Sequence, residues 1–129
     1  MVTYEQFLRA CDGINMKSCG TTTQDGGKRI SFPYDVTDDN RIISLSFFFP
    51  SGRIAISAAC PLKWIPEILS GTIEELNKRP SIYYYEIKNY NLVNLMFVDS
   101  YKAQDAQEIL SLGAEMAENI HFLIDKTGA

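Results

Sequence analysis

A chain of 129 residues suits a single domain, 1–129, able to bury roughly two thirds of the surface its unfolded form exposes. Its hydrophobic fraction of 46% and charged fraction of 22% are those of a folded globule rather than of a disordered chain. With a net charge of -4 and its 12 basic residues scattered, it lacks the concentrated Lys/Arg face that nucleic-acid binding requires.

The chain opens on a capping box. In Thr3-Tyr4-Glu5-Gln6 the Thr3 hydroxyl can accept from the backbone of Gln6 while the Gln6 side chain reaches back, and Val2 with Phe7 forms a hydrophobic staple. Tyr4, Phe7, Leu8 and Cys11 repeat at helical spacing, and Gly13 supplies a left-handed stop, so a helix is expected from Thr3 to Asp12. Met16 to Thr23 is the first strand candidate, followed by the Gln24-Asp25-Gly26-Gly27 turn. Lys28 to Val36 places Ile30, Phe32, Tyr34 and Val36 on one face. Pro33 cannot donate to a ladder, so this strand is an edge or carries a bulge.

After the Thr37-Asp38-Asp39-Asn40 turn comes the clearest pattern of all. Ile43, Leu45, Phe47 and Phe49 share one face, and Ile54, Ile56, Ala58 and Cys60 alternate again after Pro50-Ser51-Gly52, which is a hairpin. Between Pro61 and Pro80 the period becomes helical through Ile65, Ile68, Leu69, Ile73 and Leu76. That segment is one helix from Trp64 or two short ones, because Pro66 belongs in a first turn, Gly71 weakens the middle, and Thr72-Ile73-Glu74-Glu75 offers a second capping box. A second hairpin, Ser81 to Val98, sets Tyr83, Tyr85 and Ile87 against Val93, Leu95 and Phe97 across a polar Lys88-Asn89-Tyr90-Asn91 tip. Asp99-Ser100 can then cap a closing helix with a long apolar stripe that includes Ile109, Gly113, Met116, Ala117 and Ile120. The predicted fold is α+β in the order α-β-β-β-β-α-β-β-α, an antiparallel sheet of about five or six strands with helices packed on one face.

Candidate chemistry is sparse. His121 is the one histidine, and its place in a C-terminal helical turn is accounted for by the helix dipole. Cys11, Cys19 and Cys60 lack C-x-x-C spacing, so neither a metal site nor a cofactor is expected, and reduced thiols fit a cytoplasmic protein. Ser18-Cys19-Gly20-Thr21-Thr22-Thr23 has the wrong spacing for a phosphate loop and reads as a polar edge strand. The adjacent pairs Asp38-Asp39 and Glu74-Glu75 read as a turn and a helix start, and Lys28-Arg29 and Lys78-Arg79 as solvated charge. There is no basic-then-apolar leader at the N-terminus and no apolar run of the ~18 residues that would span a bilayer, so no membrane association is expected.

Phe47-Phe48-Phe49 and Tyr83-Tyr84-Tyr85 put rings on both faces of their strands, which burial of one sheet face does not require. With helices over one face, the other is expected to present Ile42, Phe48, Ile82, Tyr84, Leu92, Met96 and Val98, interrupted by Ser44, Ser46 and Asn94, as a broad apolar partner surface. The middle helix ending in Leu76-Asn77, then Tyr84-Tyr85-Glu86-Ile87, a polar turn, an apolar strand and a long helix, resembles the YbjN-like family of small bacterial proteins and the type III secretion chaperone-like fold. The resemblance implies a non-catalytic, dimeric binder of another polypeptide. Phe48, Trp64, Tyr84 and Met96 are the expected contact residues, by burial of aromatic anchors and strand addition at an exposed edge. The alternative is a small-ligand sensory domain with Tyr83, Tyr85 and Trp64 around a pocket between sheet and helix. An enzyme is the third option, and it would have to rely on carboxylates for general acid-base work.

Overall fold

In a computed structural model of the chain, residues 2–12, 20–24, 27–50, 54–80, 82–89, 91–98 and 105–129 are described. They form α1 (Tyr4–Asp12), β1 (Gly20–Gln24), β2 (Gly27–Val36), β3 (Ile42–Pro50), β4 (Ala55–Pro61), α2 (Glu67–Lys78), β5 (Tyr83–Lys88), β6 (Leu92–Val98) and α3 (Ala106–Thr127). This is the predicted order. The strands make one antiparallel six-stranded sheet, β1-β2-β3-β4-β6-β5, so the second hairpin joins through its later strand and leaves β5 on the edge.

α1 starts as its capping box dictates. Gln6 N donates to Thr3 Oγ1 at 3.2 Å, Thr3 N donates to Gln6 Oε1 at 3.0 Å, and both members of the Val2/Phe7 staple are buried. The stop expected at Gly13 and the first half of the Met16 to Thr23 segment lie outside the described residues, and its second half, Gly20 to Thr23, is in β1. α2 is one helix with Pro66 as its N-cap, and the second capping box is unused because Thr72 Oγ1 donates back to Ile68 O. α3 begins later than Asp99-Ser100, which are outside the described residues. Its cap is Asp105, which accepts from Glu108 N.

The core lies between the sheet and the helices. Ile43, Leu45 and Phe47 of β3, Ile56, Ala58 and Cys60 of β4, and Val93, Leu95 and Phe97 of β6 are all buried, in register as Leu45↔Ala58↔Leu95 and Phe47↔Ile56↔Phe97. Ile109, Met116 and Ile120 of α3 close over them.

β2 departs from the expected single face. Its register shifts between Pro33 and Asp35, so Asp35 pairs with Ile43 on the helix side and Val36 pairs with Ile42 on the open side. The missing Pro33 N–H is accommodated by this bulge in an interior strand, and the extra residue reverses the alternation downstream. Tyr34 and Val36 are consequently exposed rather than core.

The free edge of β5 is covered at its centre. Asn77 Nδ2 donates to Tyr85 O at 2.9 Å and Tyr85 N donates to Asn77 Oδ1 at 2.8 Å, so one side-chain amide stands in for a neighbouring strand. Asn77→Ala is expected to lower stability by about 1–2 kcal/mol for two lost hydrogen bonds and to produce concentration-dependent association through the opened edge. Urea titration and sedimentation velocity check the two effects; an unchanged midpoint with unchanged sedimentation refutes the edge-cap role.

Candidate functional site

The sheet face away from the helices is organised by register. One row across it reads Arg29, Phe48, Ala55 and Val98; the next reads Ser31, Ser46, Ser57, Met96 and Tyr84; the third reads Pro33, Ser44, Ala59, Asn94 and Glu86. A polar band crosses these rows. Ser31 Oγ and Ser46 Oγ are 2.9 Å apart, Ser57 Oγ donates to Asn94 Oδ1, Asn94 Nδ2 donates to Glu86 Oε1 at 3.1 Å, and Lys88 Nζ lies 3.3 Å from Glu86 Oε1. Asn94 is only 2% exposed although it lies on this face, and its amide is satisfied on both sides.

The broad apolar surface expected from the sequence is therefore divided. Val36 and Ile42 lie exposed at one end, while Phe48 and Met96 are half-buried toward the other. Ser46 and Asn94, expected only as interruptions, belong to a hydrogen-bonded series that fixes neighbouring side chains.

Beside this band lies a cleft of about 220 Å³ lined by Arg29, Ser46, Phe48, Ser57, Lys88 and Met96. Phe48 and Met96, both expected contact residues, thus share one concavity. Tyr84 pairs with Met96 on the adjoining strand and is 44% exposed. Trp64 stands elsewhere: it is 57% exposed, and its Nε1 donates to Gly128 O at 3.0 Å beyond the end of α3.

The Tyr83 hydroxyl is placed apart from the Trp64 indole. Tyr83 Oη donates to Glu115 Oε1 at 3.0 Å and accepts from Asn119 Nδ2 at 2.6 Å, which ties it to α3 about 14–20 Å along the helix from Gly128 at the usual rise per residue. Burial first, then the Glu115 carboxylate, pushes its phenol up to about 12. Tyr85 is buried.

The other chemistry-bearing groups are dispersed. His121 Nε2 lies 2.9 Å from Asp35 Oδ2, a contact made possible by the β2 bulge. The Asp35 carboxyl is held below its ordinary value by the Val36 N–H and then by His121. Cys11 and Cys60 are buried, and burial pushes the Cys60 thiol up, away from the reactive thiolate. Cys19 lies outside the described residues. Among the described residues no three His, Cys, Asp or Glu side chains converge as metal ligands, and no helix is long and apolar enough to cross a membrane.

Sequence reasoning found Phe48, Tyr84 and Met96 through strand parity and missed Arg29, which it read as solvated charge. In the structure the Arg29 Nε is shut away from solvent with no acceptor among the described residues. The available signal was its parity: Arg29 is two residues from Ser31 on a strand whose Ile30 and Phe32 face the core. No family model, curated protein or solved structure matches the chain.

Proposed function

We propose that this chain is a non-catalytic cytoplasmic binding module, working as a homodimer, that recognises a polypeptide through the open face of its sheet, in the manner of the YbjN-like and type III secretion chaperone-like proteins it resembles. The observation that carries the reading is the cleft, uncovered by the described residues, in which Phe48 and Met96 lie beside half-exposed Tyr84. A half-buried ring on a rigid sheet can be desolvated with little loss of side-chain freedom, and the thioether beside it adapts its shape to what packs on it, which is how such anchors contribute affinity. The polar band beside them supplies the hydrogen-bonding rim. Strand addition is better suited to β1 than to β5, whose centre Asn77 already occupies.

Phe48→Asp and Tyr84→Asp are expected to leave the circular dichroism spectrum intact. Each should weaken self-association and partner recovery by roughly 30-fold or more, the scale of losing an interface anchor. Sedimentation equilibrium and affinity recovery with the wild type alongside make the comparison. Folded variants that associate and recover partner as the wild type does would overturn this assignment of the surface.

A further inference from the structure

The cleft also carries an electrostatic specification, and it refines the polypeptide-binding reading on which it rests. Arg29 lines the cleft as a half-buried residue and makes no ion pair among the described residues; its Nε is itself enclosed, so an occupant would be met by the outer nitrogens of the guanidinium. Among the described residues the cleft it lines holds one other cation, Lys88, whose Nζ is 3.3 Å from Glu86 Oε1. Glu86 offsets the Lys88 charge, so among the described residues the Arg29 guanidinium is the uncompensated one, and they leave about one positive charge for an occupant. The Ser46 and Ser57 hydroxyls border the same space, and Phe48 and Met96 give it an apolar wall.

We propose that the cleft receives a carboxylate side chain of a polypeptide partner, with Arg29 donating to the carboxylate and Phe48 and Met96 packing on the apolar residues that flank it. A single net charge matches a monoanionic carboxylate better than a dianionic phosphate, and an apolar wall favours a peptide over a free inorganic anion. The guanidinium suits this task because its fork geometry matches a carboxylate and its charge persists at any physiological pH. In a chain of net charge -4, such a positive spot would orient an acidic segment locally rather than attract it from a distance.

The test is a titration of the ¹⁵N-labelled full chain, followed through the Arg29 Nε–H resonance. The probe is an equimolar set of blocked tripeptides with a central Glu between varied apolar residues, beside the same set with a central Gln. The expected result is a saturable shift of Arg29 Nε–H with the Glu set, at least ten-fold tighter than with the Gln set and lost in Arg29→Met. Equal responses to the two sets, or no response to either, would overturn the carboxylate assignment, as would inorganic phosphate displacing the Glu set at lower concentration. Equal binding of both sets that Phe48→Asp abolishes would sink this assignment and leave the polypeptide-binding reading standing. The Glu/Gln comparison uses the wild type alone, so it decides the matter even if Arg29→Met does not fold.

Discussion

Replacing Gly113 with alanine is expected to destabilise the protein by about 1 kcal/mol, and replacing it with valine by about 3 kcal/mol, even though either substitution removes a glycine from a helix interior. In isolation Gly→Ala in a helix stabilises by nearly 1 kcal/mol, so the sign of the effect is the test. A Cβ on Gly113 would lie 2.8 Å from Phe47 Cζ, 3.2 Å from Phe47 Cε1 and 3.3 Å from Leu45 Cδ1. The Phe47 ring has little room to retreat. It is fully buried, with Phe7 at 4.6 Å between centroids on one side and Phe32 stacked at 5.8 Å on another. Gly113 is thus the point where α3 descends onto β3, and the absent side chain is what permits the approach. The cause can be isolated with Phe47→Leu, which removes the atoms that clash. In that background Gly113→Ala should become neutral or stabilising, a coupling of about 1–2 kcal/mol in a double-mutant cycle. Urea midpoints of the four proteins measure it, and stabilisation by Gly113→Ala in the wild-type background would refute the close approach.

This contact also shows where sequence reasoning stopped. Phe47 and Gly113 were each visible, one on a strand face and the other within a helical stripe, but their meeting depends on how α3 crosses the sheet, which periodicity does not encode. The hairpins were legible because a period of two leaves one assignment of faces once a single face is apolar. The same rule misled at β2: Tyr34 and Val36 continue the alternation of Ile30 and Phe32, and only the bulge after Pro33 sends Val36 to the open face and Asp35 toward His121. Pro33 gave notice of a bulge without saying which residue would be the extra one. The site was half legible for a related reason. Phe48, Tyr84 and Met96 follow from parity, whereas the enclosure of Arg29 Nε cannot be read from the alternation of its own strand, and a charge beside a turn ordinarily reads as solvated. Leu76-Asn77, noticed as a dipeptide, has a physical task that depends equally on tertiary placement, since Asn77 answers the backbone of Tyr85 on the sheet edge.

Arg41→Ala is expected to cost about 2–4 kcal/mol, because one guanidinium joins three separate parts of the chain. Its Nε donates to both carboxylate oxygens of Asp39 at 3.0 Å, Nη1 donates to Pro61 O at 2.7 Å, and Nη2 donates to Ala129 O at 3.0 Å. The turn between β2 and β3, the end of β4 and the residue following the Gly128 cap of α3 are thereby held together, and the Arg41 side chain is only 14% exposed. Removing it leaves two carbonyls and a carboxylate without these donors. Arg41→Lys restores the charge but not the fork and should recover less than half of the loss. The same cluster predicts an acid limb. The Thr37 hydroxyl first, and Arg41 second, hold the Asp39 carboxyl at about 2 instead of its ordinary 3.8. A carboxyl lowered on folding contributes stability that is complete above the unfolded value and is lost as pH falls through the folded one. The Arg41–Asp39 contribution should therefore be full at pH 7, decline below about pH 4, and be largely gone by about pH 2. Asp39→Asn supplies the control, since its stability deficit against the wild type should shrink over that interval while Arg41→Ala keeps the part due to the two carbonyls. Urea midpoints for the three proteins at pH 7, 4 and 2.5 decide it: a deficit for Asp39→Asn that stays constant across that range would mean the carboxylate is not bound to this clamp.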